Sequence, residues 1–163
     1  MSAAPQVIRV ADAPSYWFMG IRATIIARGA PGELTSIELV VPPGAATPTH
    51  MHDDDEDSGF VVEGTLRTWC DGEIVNVTAG SWLALPRGKA HALRAVGDTP
   101  ARVMAVYTNT NFADFIMEVG VPTERAQPPP PDPSDLPRLR AIAARHNLQL
   151  MGPPPPALFE LAE

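Results

Sequence analysis

Polar and apolar residues alternate over Ser36–Val41, the pattern of a strand with one buried face. Similar short runs recur along the first two thirds of the chain. They predict strands at Val7–Val10, from Tyr16 on through Ala27, and at His50–His52, Gly59–Glu63 and Thr65–Cys70. Further strands are predicted at Ile74–Thr78, Ser81–Leu85, Ala90–Val96 and Arg102–Thr108. Turn residues separate them, among them Gly29–Gly32 with Pro31, Pro42-Pro43-Gly44, Gly64, Ala79-Gly80 and Pro86-Arg87-Gly88. Asp71-Gly72, set between two such runs, is a two-residue hairpin signal. Many short strands with turns every few residues and no intervening helix mean an all-β sandwich or barrel.

The period changes after Tyr107. Phe112, Phe115, Ile116 and Val119 are spaced i, i+3, i+4, i+7, which predicts a helix over Asn111–Val119 with one apolar face. Pro128–Pro133 is a proline-rich, extended linker. Ser134 follows as an N-cap with Pro137 in the first turn, and Leu136, Leu139, Ile142 and Ala143 form the buried face of a second helix ending near His146-Asn147. Leu148–Met151 adds an edge strand, and Pro153–Pro156 stops regular structure. The organisation expected is an N-terminal arm (1–15), a barrel with the first helix (16–121), and an appended linker, helix and tail (122–163).

The composition narrows the class. At 163 residues and 45% hydrophobic content the chain can build one core. A net charge of −7 argues against nucleic-acid or anionic-membrane surfaces as partners. One cysteine, Cys70, permits no internal disulfide and is read as structural. The first residues lack a signal-peptide pattern, and no apolar run reaches the length of a membrane span, so a cytoplasmic protein is expected.

The chemistry concentrates between Gly44 and Gly64. His50 and His52 lie two residues apart, so on a strand both imidazoles point to one face. The acidic run Asp53–Asp57 follows, and His91 arrives in a second patterned stretch. Imidazoles converging with a carboxylate suit a divalent metal. Most of the acidic run is expected to be a solvated loop, since buried unpaired carboxylates are costly. The fourth histidine, His146, is placed at a helix C-terminus with no assigned function.

The two stretches read Gly44, five residues, His50-x-His52, four residues, Asp57, six residues, Gly64; and Gly80, five residues, Pro86-x-Gly88, two residues, His91, three residues, Ala95. This pair resembles the two motifs of the cupin superfamily, specifically over residues 44–95. More loosely, the whole chain resembles single-domain bacterial cupins of the quercetin dioxygenase-like group. The resemblance implies a jelly-roll (double-stranded β-helix) barrel holding one divalent transition metal ion inside. His50, His52 and His91 are the implied ligands, with a carboxylate from the first motif. Registered on Gly64, that position is Asp57 where the family has glutamate, with Glu56 as a rival; period two favours Asp57, which shares a face with Gly59 and Val61. Ala95 stands where the motif closes on asparagine, and Gly59 where relatives tend to carry an aromatic residue. Together they suggest a roomier pocket, with Val61, Leu93 and Met104 as further wall candidates. Trp17 and Trp82 are left open between pocket and outer core.

The function implied is a dioxygenase acting on an enol or phenol, with Asp57 as both ligand and base. A non-catalytic small-molecule-binding cupin and a Lewis-acid isomerase or lyase are the alternatives. A homodimer is expected, with the N-terminal arm and Leu148–Met151 extending a sheet across the interface.

Overall fold

The computed structural model describes residues 6–30, 33–123 and 135–160. Twelve strands and two α-helices are seen among them: β1 (Ser15–Phe18), β2 (Ile21–Ala27), β3 (Thr35–Val41), β4 (Thr49–His52), β5 (Asp57–Glu63), β6 (Thr65–Cys70), β7 (Glu73–Thr78), β8 (Trp82–Leu85), β9 (His91–Ala95), β10 (Ala101–Tyr107), α1 (Asn111–Val119), β11 (Val121–Pro122), α2 (Leu136–Arg145) and β12 (Leu148–Gly152). The strands form two antiparallel sheets, β11-β1-β2-β3-β10-β5-β8 and β12-β4-β9-β6-β7. Their inner faces enclose one core in which Ile21, Ile37, Val61, Leu66 and Ala105 are buried.

Turn chemistry sets the strand limits. Asp71 and Gly72 both have positive φ, as the β6–β7 hairpin requires. At Gly64, also at positive φ, a Cβ would lie 2.5 Å from the Pro100 carbonyl, so only glycine fits. The run read as continuous from Tyr16 to Ala27 is instead a hairpin. Met19 and Gly20 take positive φ and reverse the chain between β1 and β2. Val7–Val10 is not a strand. Residues 6–9 have no regular structure, Val10–Asp12 is a single 3-10 turn, and Val7 and Ile8 are exposed. The linker Pro128–Pro133, the Ser134 cap and part of the Gly29–Gly32 turn lie outside the described residues.

The helix α1 has the predicted limits and buries Phe112, Phe115 and Ile116. On α2, Ile142 and Ala143 are buried but Leu136, in the first turn, is exposed. His146 does not simply cap that helix, because its Nε2 lies 2.8 Å from Glu118 of α1. The strand after it, β12, pairs with β4, Leu148 opposite His52 and Leu150 opposite His50. β12 is thus the edge strand of the small sheet, as expected for Leu148–Met151. A 3-10 turn over Pro156–Phe159 then lays Leu158 onto the small sheet, held by Arg67 and Arg94 through the Ala157 and Leu158 carbonyls.

The acidic loop between β4 and β5 is not merely solvated. Asp53 accepts from Gln149, and Asp54 accepts from Asn111 and Asn147, which ties the loop to α1 and to the start of β12. Asp55 is buried and accepts from both the backbone N–H and the hydroxyl of Thr108, at 2.8 and 2.9 Å. Burial raises its pKa, and the Thr108 bonds oppose that rise. Asp55→Ala should cost about 1–3 kcal/mol, because two donors lose their acceptor in a buried place. Thermal melting should fall by several degrees, and Asp55→Asn, which keeps one acceptor oxygen, should recover part of the loss. Equal melting temperatures for all three proteins would show that the loop carries no load.

Candidate metal centre

Period two on β4 buries His50 and His52 and turns Thr49 and Met51 away. In the β4–β9 register His50 stands opposite His91. These three imidazoles come from the small sheet. Asp57, the first residue of β5, faces them from the large sheet. One ligand-type atom from each of the four residues lies within 4.8 Å of the others. Asp57 Oδ2 is 3.4 Å from His91 Nε2 and 3.7 Å from His52 Nε2. Ligands at about 2.1 Å from a common ion sit about 3.0–3.4 Å apart in octahedral or tetrahedral arrangement, so little adjustment is needed.

Hydrogen bonds set the tautomers. His50 Nδ1 lies 2.8 Å from the Pro48 carbonyl and His91 Nδ1 2.9 Å from the Lys89 carbonyl. A carbonyl only accepts, so each Nδ1 carries the proton and each Nε2 presents a lone pair. His52 Nε2 and His91 Nε2 are buried without a hydrogen-bond partner. Such orphaned nitrogens facing one carboxylate oxygen fit a divalent metal and are otherwise costly. Burial, reinforced by the neighbouring imidazoles, holds His50 well below the ordinary histidine pKa. Burial likewise lowers His52 to about 4. Burial acts to raise Asp57, but the His91 ring 3.4 Å away and the other surrounding imidazoles outweigh that and lower it. Neutral imidazoles beside an ionised carboxylate are the protonation states a metal needs.

A cavity opens from this cluster, enclosing about 580 Å³ of space that includes solvent at its mouth. His50 and Asp57 contribute to its wall. The rest is mostly apolar, from Phe18, Leu39 and Leu93 in the barrel, Phe112 and Phe115 on α1, and Leu148 and Leu150 on β12. Among the described residues no lysine or arginine lines it. Tyr107 also lines it and was missed in the sequence. It stands directly across from Asp57 in the β5–β10 register and stacks on His52 with 5.8 Å between ring centroids. Burial, then the charges of Asp57 and Asp55, raise its pKa well above the usual value. A phenol so placed stays protonated.

The other expected site residues divide. Glu56 is exposed, with its carboxylate 3.7 Å from the Arg87 guanidinium, outside the cluster. Leu93 lines the cavity, whereas Val61 and Ala95 are fully buried core residues that do not. Met104 is on the outer face of β10, where its sulfur accepts from Ser36; Val103, Ala105 and Tyr107 point inward instead. Gly59 does not open the large cavity. A Cβ there would lie 2.8 Å from Val103 Cγ1, so glycine serves the close approach of β10. Trp82 is exposed, and on β1 it is Phe18, not Trp17, that lines the cavity.

Comparison with known proteins places this geometry. Residues 37–107 match the model of the cupin domain. Quercetin 2,3-dioxygenase of Bacillus subtilis (strain 168) is 29% identical over 128 residues, covering 77% of this chain but 38% of that enzyme. KdgF from Halomonas sp. superposes with a TM-score of 0.57 at 19% identity, over 64% of this chain and 94% of the other. The Streptomyces nucleoside dehydratase Pac13 gives a TM-score of 0.57 at 17% identity, over 68% and 88%. At these identities the two structures speak for the fold alone. No helix among the described residues is long and apolar enough to cross a membrane. Two stacked antiparallel sheets, a three-histidine and aspartate cluster between them and the matched stretch agree: residues 37–107 of this chain match a cupin domain.

Proposed function

We propose that this chain is a metal-dependent dioxygenase acting on a small, neutral enol or phenol. The observation that carries the reading is a buried three-histidine, one-carboxylate cluster opening onto a cavity with no lysine or arginine among its described lining residues. An anionic substrate would lose its hydration there and find no side-chain cation among the described lining residues to pair with. A planar enol loses little and finds the rings of Phe18, Phe112 and Phe115 to pack against. The similarity to quercetin 2,3-dioxygenase supports oxygen chemistry over isomerisation.

Held by His50, His52, His91 and Asp57, a divalent transition metal supplies a Lewis-acidic, redox-capable centre at the cavity wall. The chain's own groups do the rest. Asp57, ionised and at the wall, accepts the enol proton. Tyr107 orients that carboxylate through its hydroxyl. The apolar walls exclude water and hold the two reactants together. In the overall reaction the enol carbons are oxidised, dioxygen is reduced, and both its oxygen atoms end in the cleaved products.

Oxygen uptake by the metal-loaded protein over a panel of flavonols and other enols tests this. Uptake matching substrate loss is expected. Metal-loaded protein that consumes no oxygen across the panel sinks the reading and leaves a binding protein or a Lewis-acid enzyme. Tyr107→Phe should keep its metal and lose turnover by about 10- to 100-fold, the scale of losing an orienting partner. Unchanged turnover would remove Tyr107 from the site.

The proposal extends to a homodimer working in the cytoplasm. Phe60 and Trp82 are exposed cross-strand neighbours at the β8 edge of the large sheet, with Met104 next to Phe60 on the same outer face. A second copy covering this apolar patch would take it out of water. Light scattering should give twice the chain mass, and Trp82→Glu the single mass. A wild-type monomer would contradict the dimer.

A further inference from the structure

A second, smaller cavity lies between the sheets on the other side of Asp57. Leu66, Leu83, Val103 and Ala105 wall it, and Leu39, Val41, Asp57 and Leu93 are shared with the larger cavity, so the two adjoin along these residues, the carboxylate among them. Apart from Asp57 and Ser58, every lining residue is apolar or glycine. The space is narrow where Gly59 lets Val103 approach. Its apolar walls suit a small apolar molecule.

We propose that this cavity binds a small apolar gas and brings it to Asp57 while the organic substrate occupies the larger cavity. Dioxygen is that gas in the reaction proposed above, and its identity rests on that reading. The physical reason is the wall chemistry. A water molecule needs two to four polar partners and finds almost none here, so the cavity stays dry. A polarisable, apolar gas asks for no hydrogen bond and gains dispersion contacts on all sides. A separate approach also matters for order of binding. A planar substrate filling the large cavity would block that route to the carboxylate. The β8 side of the barrel, where Leu83 sits, remains a second route.

Xenon is the probe, because it reports such cavities without metal or turnover. Crystals pressurised with xenon should show a peak against Leu66, Leu83, Val103 and Ala105. Ala105→Val, which adds two methyl groups to the space, should remove the peak and raise the KM for dioxygen several-fold, with the KM for the enol within twofold. Leu83→Phe, on the edge strand, fills the same space should the first variant fold poorly. Ordered water in the cavity, no xenon peak, or an unchanged dioxygen KM in a variant that excludes xenon would overturn the proposal. Xenon bound without oxygen uptake on the enol panel removes the oxygenase reading and leaves a gas-binding cavity. Uptake without xenon removes the cavity and leaves the oxygenase.

Discussion

His91→Ala should strip the protein of its metal. Mass-spectrometric metal analysis is expected to fall from one ion per chain to less than a tenth of that. His91 is 1% exposed, its Nδ1 proton is committed to the Lys89 carbonyl, and its Nε2 has no other partner. The substitution removes one of three imidazoles, the one whose Nε2 lies 3.4 Å from Asp57 Oδ2. Losing a partner that only orients a ligand costs about 10- to 100-fold in metal affinity, and losing the ligand itself costs more. His146→Ala is the control. His146 is bound to Glu118, apart from the cluster, and its loss should leave metal content intact. Full stoichiometry in His91→Ala would mean that the ion sits elsewhere.

Acid should unfold the metal-free protein well above the pH at which carboxylates alone would do it. His52 takes its proton at about 4 in the fold. In the unfolded chain an imidazole takes it at about 6.5. As pH falls through that window the unfolded state binds a proton that the native state refuses, so stability falls from pH 6.5 down to pH 4. At about 1.4 kcal/mol per pH unit, His52 alone accounts for about 3 kcal/mol. His50 shifts in the same direction and adds to the loss. Asp57, with its pKa lowered in the fold, contributes stability above the unfolded carboxylate value and loses it as pH falls further. Urea midpoints at pH 7, 6, 5 and 4 should therefore drop steeply, and His52→Leu should flatten the slope. Metal should raise all the midpoints at pH 7 and be released over the same acid window, since protons compete for the imidazoles. A metal-free protein equally stable at pH 7 and pH 4.5 would contradict neutral, buried histidines.

What could be read in advance follows from where the information sits. His-x-His spacing on a strand is local, so the shared inner face of His50 and His52 was legible, as were the Asp71-Gly72 hairpin and the α1 face. Partners far apart in sequence were not. Tyr107 faces Asp57 only because β10 pairs with β5, and nothing near Tyr107 announces that pairing. Leu148 and Leu150 reach the cavity only because β12 joins β4. The acids at 53–55 looked solvated because their asparagine, glutamine and threonine partners lie fifty or more residues away. Met104 was assigned to the wrong face for another reason. In β10 both alternating sets contain apolar residues, and only Arg102 marks which set faces out. Gly59 looked like empty space, but a missing side chain there admits a neighbouring strand. In the Gly44–Gly64 stretch the carboxylate choice turned on one residue of register. The structure puts Asp57 inside and Glu56 with Arg87 at the surface.

The decisive measurement is anomalous diffraction from crystals of the metal-loaded protein. One peak should appear among the Nε2 atoms of His50, His52 and His91 and the Asp57 carboxylate, with an open side toward the cavity lined by Phe112 and Leu148. A peak elsewhere, or none under conditions in which metal analysis finds one ion per chain, would contradict the metal centre and the chemistry proposed for it.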